Sequence, residues 1–275
     1  GTVVPGNASI FGMNTTQGGG TTYPRLQTGF TIASSTHFEV FRSDTANDME
    51  YRAEIFEWPV AQLAWEQNYY RFYVDNDAIT PTDPWPVGAS NLGENTSITG
   101  ADDPLGEGER VRIRMTLEVN NASWPEATQA FKLQYGRRVS TCSAISTWND
   151  VGAPGSGTIW RGYNGSPADG TAIASTSLLI SLATIGGTYE ETNNSAVNPN
   201  FADIDDNVEF DWLIEHNGAV QRSDYCFRMV EADGSLLAAY NLYPTLRTTG
   251  FTPVIDTWRF YDDETNSTPS TPLAG

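Results

Sequence analysis

Acidic side chains are the most numerous groups in this sequence that could carry out chemistry. Asp75, Asp77 and Asp83 lie in one loop directly after a predicted strand. Carboxylate oxygens gathered in a compact loop are ligands that Ca²⁺ prefers. The spacing lacks the glycine and the final glutamate of an EF-hand loop. A calcium site and a plain turn rich in Asp and Pro therefore both stay open, and no other cofactor is expected.

Catalytic patterns are not evident around the other polar residues. Adjacent acids such as Asp102 and Asp103 could serve a glycosidase only if two carboxylates faced each other across a cleft, and loop acids are commonly solvated charge. His37 and His216 are far apart, and neither heads a metal-binding or triad pattern. The only lysine, Lys132, lies outside any phosphate-binding glycine loop. The sequence therefore predicts a protein that is not an enzyme.

Cys142 and Cys226, separated by 84 positions, are the only cysteines. This spacing fits neither a clustered metal site nor a close redox pair. We expect one disulfide, the alternative being two buried thiols. Because Tyr225, Phe227 and Met229 alternate with Cys226, the bridge should lie on the outer face of that strand and tie it to the loop that begins near residue 140.

Charge and glycosylation signals indicate the compartment. Fifteen basic against 34 acidic residues give a net charge of −19, which disfavours nucleic acids and anionic membranes as partners. No apolar run approaches the length of a membrane span. The chain starts at Gly1 without a leader pattern, so we expect any signal peptide to have been removed. Asn-x-Ser/Thr sites occur at Asn7, Asn14, Asn95, Asn121, Asn164, Asn193 and Asn266. These features predict a secreted or cell-surface protein.

Apolar and polar residues alternate with a period of two in much of the chain. This pattern predicts β-strands, which would position the side chains discussed above. Residues 110–119, 131–135, 208–214 and 225–230 each place apolar side chains on one face. Further strands are expected at 29–33, 37–42, 50–58, 69–74, 158–163, 177–183 and 238–242, and residues 59–67 could form a short helix. The pattern predicts an all-β protein built around an antiparallel β-sandwich.

An internal repeat is the most informative feature of the sequence. Residues 71–87 and 259–275 align without gaps at an offset of 188 and are identical at seven of 17 positions, including Arg-Phe-Tyr. Self-similarity at a fixed period indicates an array of like modules. We therefore expect a β unit at 1–62, a main module with a long insertion at 63–253, and the opening strand of a second module at 254–275.

Two resemblances extend this interpretation. Phe131-Lys-Leu-Gln-Tyr135 followed by Trp148-Asn-Asp-Val151, and Tyr225-Cys-Phe-Arg-Met229 followed by Ala232-Asp-Gly234, resemble strands of fibronectin type III modules. With the repeat and residues 29–58, the chain also resembles tandem modules of large surface proteins from uncultured bacteria. The first resemblance implies an immunoglobulin-like sandwich, and both imply a structural, binding or adhesive role.

The expected function is a structural subunit or repeat of an extracellular array or filament, whose partners are copies of itself or neighbouring modules. Its assembly strands would be Tyr69, Arg71, Phe72 and Tyr73 in the first copy and Trp258, Arg259, Phe260 and Tyr261 in the second. The second strand could complete a neighbouring subunit, pair with the chain's own sheets, or belong to a longer tandem protein. The alternative function is an adhesive module that binds surface glycans through Trp85, Trp124, Trp148 and Trp160.

Overall fold

A computed structural model describes residues 62–88 and 90–250 in full, and it describes the backbone of four strands before them. The chain divides into two compact units, Gly1–Gln62 and Leu63–Gly275, and each is considered by itself. The proposed opening strand at 254–275 lies outside the described residues.

The first unit contains two two-stranded antiparallel sheets. β1 (Ala8–Gln17) pairs with β4 (Met49–Glu57), and β2 (Thr28–Ser34) pairs with β3 (His37–Arg42). The strands expected at 29–33, 37–42 and 50–58 are therefore present, whereas β1 was not predicted.

In the described part of the second unit, the regular structure is β-strands and two short 3₁₀ turns. Its strands are β5 (Ala64–Tyr73), β6 (Arg110–Asn120), β7 (Phe131–Arg138), β8 (Asn149–Asp150), β9 (Trp160–Gly162), β10 (Thr171–Ala172), β11 (Ile185–Glu190), β12 (Asn207–His216), β13 (Asp224–Glu231), β14 (Ala239–Tyr240) and β15 (Thr245–Arg247). Two short 3₁₀ turns cover Cys142–Ala144 and Ser175–Ser177. None of the described segments is a helix long and apolar enough to cross a membrane.

Two sheets pack face to face in this unit. The first has the order β10-β11-β12-β6-β5-β14, with β9 also paired to β12, and the second has the order β15-β13-β7-β8. The pairings are antiparallel except for β11 with β12 and β14 with β5. The prediction of an all-β, sandwich-like fold is confirmed at this level.

The core between the sheets follows from the alternation in the strands. Val111, Ile113, Met115, Leu117 and Val119 of β6 are all buried there, as are the apolar positions of β7, β12 and β13. Aromatic rings dominate one region, where the ring centroids of Trp65, Trp124 and Phe131 lie 5.3 to 5.5 Å apart in edge-on contacts. Such pairs stabilise a core beyond the area that they bury.

Two local predictions were wrong. Residues 64–67 belong to β5 rather than to a helix, since their side chains alternate into the core. The expected strand at 177–183 is a turn and loop, because the backbone amides of Leu179 and Ile180 donate to the Glu209 carboxylate instead of to a neighbouring strand. The next strand along the chain is β11, which begins at Ile185.

The disulfide between Cys142 and Cys226 is confirmed. Cys226 is fully buried on the face of β13 opposite the main core, beneath the loop that carries Cys142. The bridge therefore fastens a loop to the outside of the second sheet, as the alternation predicted.

Candidate functional site

The first copy of the repeat forms a turn at one end of the first sheet. We call residues 71–87 the opening segment. Phe72 and Tyr73 end β5 with buried side chains, and the chain then loops and returns beside them. Val74 N donates to Asp83 O (3.0 Å) and Trp85 N donates to Phe72 O (3.0 Å). The repeated sequence therefore encodes a strand together with the loop that covers its edge.

Positions shared by both copies have structural roles in this first copy. Arg71 Nε donates to Leu92 O (3.1 Å), and its guanidinium lies 5.4 Å from the Tyr73 ring centroid. Asp75 forms an ion pair with Arg110 (3.1 Å). Pro81 is buried, and Pro84 forms a β-bridge with Tyr73. The residues retained at 259–275 are thus the ones that build the turn.

Three arginines on the outer face of β6 hold the loop of the opening segment. Arg110 pairs with Asp75, Arg112 Nη1 donates to Ala78 O, and Arg114 Nη2 donates to Ile79 O. Two of these contacts use backbone carbonyls, which every residue type provides. The loop can therefore vary in side chains between copies while Asp75, matched by Asp263, stays the same.

Arg112 and Arg114 are fully buried together with two carboxylates of β12. Asp211 contacts both arginines, at 3.2 Å from Arg112 Nε and 2.6 Å from Arg114 Nε. Glu209 lies 2.5 Å from Arg114 Nη1. Burial by itself would lower the pKa of Arg114, but the carboxylates of Asp211 and Glu209 raise it above its usual value. This buried ion cluster, consisting of Arg112, Arg114, Glu209 and Asp211, is balanced in charge.

The alternation places these four residues on the face opposite the apolar core, and in the structure that face is buried as well. The loop of the opening segment and residues 175–180 cover them, with Ser177 O accepting from Arg114 and Ile180 N donating to Glu209 (2.8 Å). A signal was present in the sequence: basic and acidic residues alternate with the same period on two strands that pair. Opposite charges on neighbouring strands stabilise their pairing.

Glu190 of β11 is a second buried acid, and it has no cation beside it. Its Oε1 accepts from Ala196 N (3.1 Å), while Oε2 has no hydrogen-bond partner among the described residues. Burial raises the pKa of Glu190 to about 8. The carboxyl is therefore protonated in the folded protein at neutral pH.

Replacing Glu190 with Gln tests this environment. An unfolded Glu ionises near pH 4.5, so between about pH 4.5 and 8 the folded state binds one more proton and stability falls as the pH rises. From pH 5.5 to 7 the loss is about 2 kcal/mol, since each unit accounts for about 1.4 kcal/mol. Urea unfolding at several pH values should show this slope in the native chain relative to Glu190→Gln. Parallel curves for the two proteins would contradict the assignment.

The calcium prediction gains no support. Asp75 is committed to Arg110 and to the backbone amide of Asp77, and Asp83 accepts from Thr82. Among the residues that the structure describes, no three His, Cys, Asp or Glu side chains form a group that could hold a metal ion. In this structure Arg110 holds Asp75 at the start of the loop.

The predicted glycosylation sites differ in their surroundings. Asn95, Asn121 and Asn164 are exposed. Asn193 is not suited to carry a glycan in the folded protein, because its amide nitrogen donates to Leu133 O and to Val151 O (2.9 Å each). Asn14 is described only as part of the β1 backbone, and Asn7 and Asn266 lie outside the described residues.

Three of the four tryptophans considered for sugar stacking are buried: Trp85, Trp124 and Trp160. Trp148 lies nearer the surface, but Tyr243 stacks on its ring and the Arg228 guanidinium lies 4.3 Å from its centroid. Tyr240 in turn stacks on Tyr243. The rings of Trp148, Tyr243 and Tyr240 thus stack on one another, so the faces that they share are closed to a sugar.

The first assembly strand, which includes Tyr69 and Tyr70, is bonded on both sides within its own module. β6 lies on one side of β5. On the other side β14 pairs with Glu66 and Gln67, Asn95 bonds both backbone groups of Tyr70, and Trp85 bonds Phe72. The described structure leaves no open slot here for a donated strand. The second assembly strand, Trp258 to Tyr261, lies outside the described residues.

One edge of the second sheet is covered as well. At β15, Ile98 N donates to Thr245 O and Leu105 N donates to Arg247 O (3.0 Å each). On the opposite side, Asn193 and Val151 bond the backbone of Leu133 in β7, next to the short edge strand β8. Loops thus occupy backbone positions at which strand addition would otherwise begin.

The chain enters and leaves this module at opposite ends. At the proximal end, Ala64 lies opposite Asn120, the last residue of β6. At the distal end, Thr249 N donates to Leu105 O (2.8 Å) and Arg222 N donates to Thr249 O (3.1 Å). The opening segment, which follows β5, lies toward the distal end, since Tyr73 pairs with Arg112 near the start of β6.

Comparisons with known proteins return no match: no family model, no curated protein and no solved structure is significantly similar to this chain.

Proposed function

We propose that residues 63–253 form one copy of a structural module that repeats in tandem in an extracellular surface protein, and that residues 254–275 open the next copy. The core of this module is proposed to be of the fibronectin type III kind. Its function is to set the distance between neighbouring parts of the array and to bear load along it. Its partners are the neighbouring modules.

The internal repeat carries this proposal. Residues 71–87 and 259–275 are identical at seven of 17 positions at an offset of 188. In the first copy these residues form the end of β5 and the loop that covers its edge. Self-similarity at a period of domain size is the expectation for an array of modules.

The placement of the two ends supports the same function. Because the chain enters at the proximal end and leaves at the distal end, tandem copies would extend in a line instead of folding back. Tension along that line would pull β5 against β6, where the strands are paired from Ala64 to Tyr73. A paired ladder loaded along its length resists separation because many hydrogen bonds must break together.

Tandem repetition is favoured over strand donation between subunits. Strand donation needs an acceptor that lacks a strand, whereas the slot filled by Phe72 is occupied by the module's own β5 and both edges of that strand are bonded. In a tandem array residues 259–275 belong to the copy that they begin.

The extracellular part of the proposal rests on covalent and surface features. The Cys142–Cys226 disulfide is typical of oxidising compartments. Exposed acceptor sites such as Asn95 and Asn164 are compatible with glycosylation. A chain with a single lysine and a net charge of −19 also suits an exported, highly soluble surface protein.

The equivalent residues Phe72 and Phe260 give a matched test. Phe72→Leu should lower the free energy of unfolding of the module by about 1 kcal/mol, because the smaller side chain fills the core less well. Phe260→Leu should leave it unchanged, since Phe260 belongs to the next copy. Thermal melts of both variants in the full chain, with size-exclusion chromatography over a range of concentrations, make the measurement.

Strand donation predicts a different pattern for the same pair. The native chain would form concentration-dependent oligomers, and Phe260→Leu would weaken them. Observation of that pattern would replace the tandem proposal with donation between subunits.

A further inference from the structure

We infer that the Cys142–Cys226 bridge limits how far the module lengthens under load, and that a thiol reductant releases this limit once load has opened the module. The bridge encloses residues 143–225, and tension applied outside it cannot draw them out while the bond between the two sulfurs holds. The module therefore has two fully extended lengths, a short one when oxidised and a long one when reduced. This inference rests on the proposed load-bearing function and adds a redox control to it.

The path of the load follows from the order of the chain. Tension that enters before Cys142 and leaves after Cys226 crosses the module through the two sulfurs instead of through the residues between them. The same path applies wherever the load acts on residues 1–141 and 227–275. It therefore depends neither on the exact bounds of the module nor on a contact with a neighbouring copy.

The enclosed segment contains several strands of the first sheet. Strands β9, β10, β11 and β12 lie within it and are paired with one another, β12 with β9 and β11, and β11 with β10. Strands β5, β6, β7, β14 and β15 lie outside it, on the loaded part of the chain. The bridge thus separates strands that tension can draw out from strands that it cannot.

The bridge closes the ladder between β7 and β13, which pair along their whole length in the second sheet. Once the strands before β7 and after β13 have been drawn out, tension pulls on Phe131 and Glu231, which lie opposite each other. A ladder pulled apart at one end opens pair by pair and offers little resistance. Cys226 lies opposite Gly136, so this opening ends at the bridge.

The buried ion cluster joins the loaded part of the module to the enclosed part. Arg112 and Arg114 belong to β6, which the load draws out. Glu209 and Asp211 belong to the enclosed β12 and contact these arginines. Drawing out β6 must separate these charges before tension reaches β7. The module therefore resists the load at this cluster before the bridge itself carries it.

The fold shields the bridge until load opens the module. Cys226 is fully buried, and Thr245 Oγ1 lies 3.8 Å from its sulfur and 3.4 Å from the sulfur of Cys142. A reductant reaches a buried sulfur slowly, because thiol exchange depends on access. Thr245 belongs to β15, and load that draws out this strand removes the cover.

Release is an exchange between the bridge and a dithiol reductant. A thiolate of the reductant bonds to one cysteine sulfur while the bond between the two cysteine sulfurs breaks, and the other cysteine leaves as a thiolate. The second thiolate of the reductant then displaces the remaining cysteine and closes the reductant's own disulfide. Two electrons and two protons thus pass to the cysteines, and residues 143–225 join the loaded chain.

Single-molecule stretching of the full chain tests the limit. The chain carries a cysteine-free handle at each end and is held at a constant force that opens the module. Dithiothreitol should then raise the contour length in one step of about 290 Å, since 84 steps of about 3.5 Å between Cα atoms replace the 5.8 Å across the bridge.

The double variant Cys142→Ser with Cys226→Ser is the control. It should show the long contour length with and without dithiothreitol, and this comparison holds even if the variant does not fold. A native chain that reaches the long length without a reductant, or that shows no step on reduction, would overturn the inference.

Reduction rates in bulk solution test the shielding. Without load, the native chain should lose its bridge to dithiothreitol at least about tenfold more slowly than the same chain unfolded in urea, because access limits the exchange. Alkylation of the released thiols and mass spectrometry measure both rates. Equal rates would refute the shielding by the fold.

The outcomes of the stretching experiment are distinguishable from those that test the tandem function. A step on reduction, together with oligomers that Phe260→Leu weakens, keeps the limit and refutes the tandem array. The absence of a step, together with a monomeric chain whose stability Phe260→Leu leaves unchanged, refutes the limit and leaves the tandem function standing.

Discussion

Replacing Arg114 with methionine is expected to lower the free energy of unfolding by about 4 kcal/mol, one of the two largest effects of any change considered for this protein. The substitution keeps the length of the side chain but removes the charge between Glu209 and Asp211. Two carboxylates would then share the single charge of Arg112 in a fully buried site. Urea unfolding at pH 7, followed by tryptophan fluorescence, measures the loss.

Arg110 on the same strand provides the matched control. Its side chain is 38 % exposed and it forms one ion pair with Asp75, so Arg110→Met should cost about 1 kcal/mol or less. Adding Glu209→Gln to Arg114→Met should restore part of the stability, because the charges that remain, those of Arg112 and Asp211, balance. If Arg114→Met lowered the free energy of unfolding no more than Arg110→Met does, the charge balance of the buried ion cluster would not stabilise the fold as predicted.

Removal of the disulfide is the second large effect. The double variant Cys142→Ser with Cys226→Ser should lose up to about 4 kcal/mol, since the bridge closes a loop across 84 positions and restricts the unfolded chain. The loop around Cys142 would also lose its only covalent attachment to β13. The midpoint of urea unfolding reports the change.

A reductant gives an independent control for this prediction. Dithiothreitol should lower the stability of the native chain to the level of the double serine variant and have no effect on that variant. A native chain whose unfolding midpoint does not respond to reduction would show that the bridge contributes little to stability.

Strands with strict alternation were the parts of the fold that could be predicted from the sequence. β6, β7, β12 and β13 were all located because each buries one face, and a period of two is the direct consequence. β11 was missed. It lies beside β12 in a parallel arrangement and contains two glycines, and Glu190 occupies a buried position, so no clean alternation marks it.

The candidate site was predictable in part. The importance of Arg71, Phe72 and Tyr73 followed from the repeat alone, because two copies in one chain can be compared directly. The partners of Arg112 and Arg114 could not be predicted, since the register that places Asp211 opposite Arg114 depends on strands that are nearly one hundred residues apart.

The sequence by itself determined the strictly alternating strands and the repeat with its period of 188, and it favoured a bond between the two lone cysteines, because each depends on residue types and local spacing. Only the tertiary structure decided which faces are buried. A loop from the opening segment and another from the insertion cover the outer face of β6, and this turns a row of apparently solvated arginines into a buried ion cluster. The opposite placement of the two ends of the module likewise depends on how the sheets are connected, which no local pattern encodes.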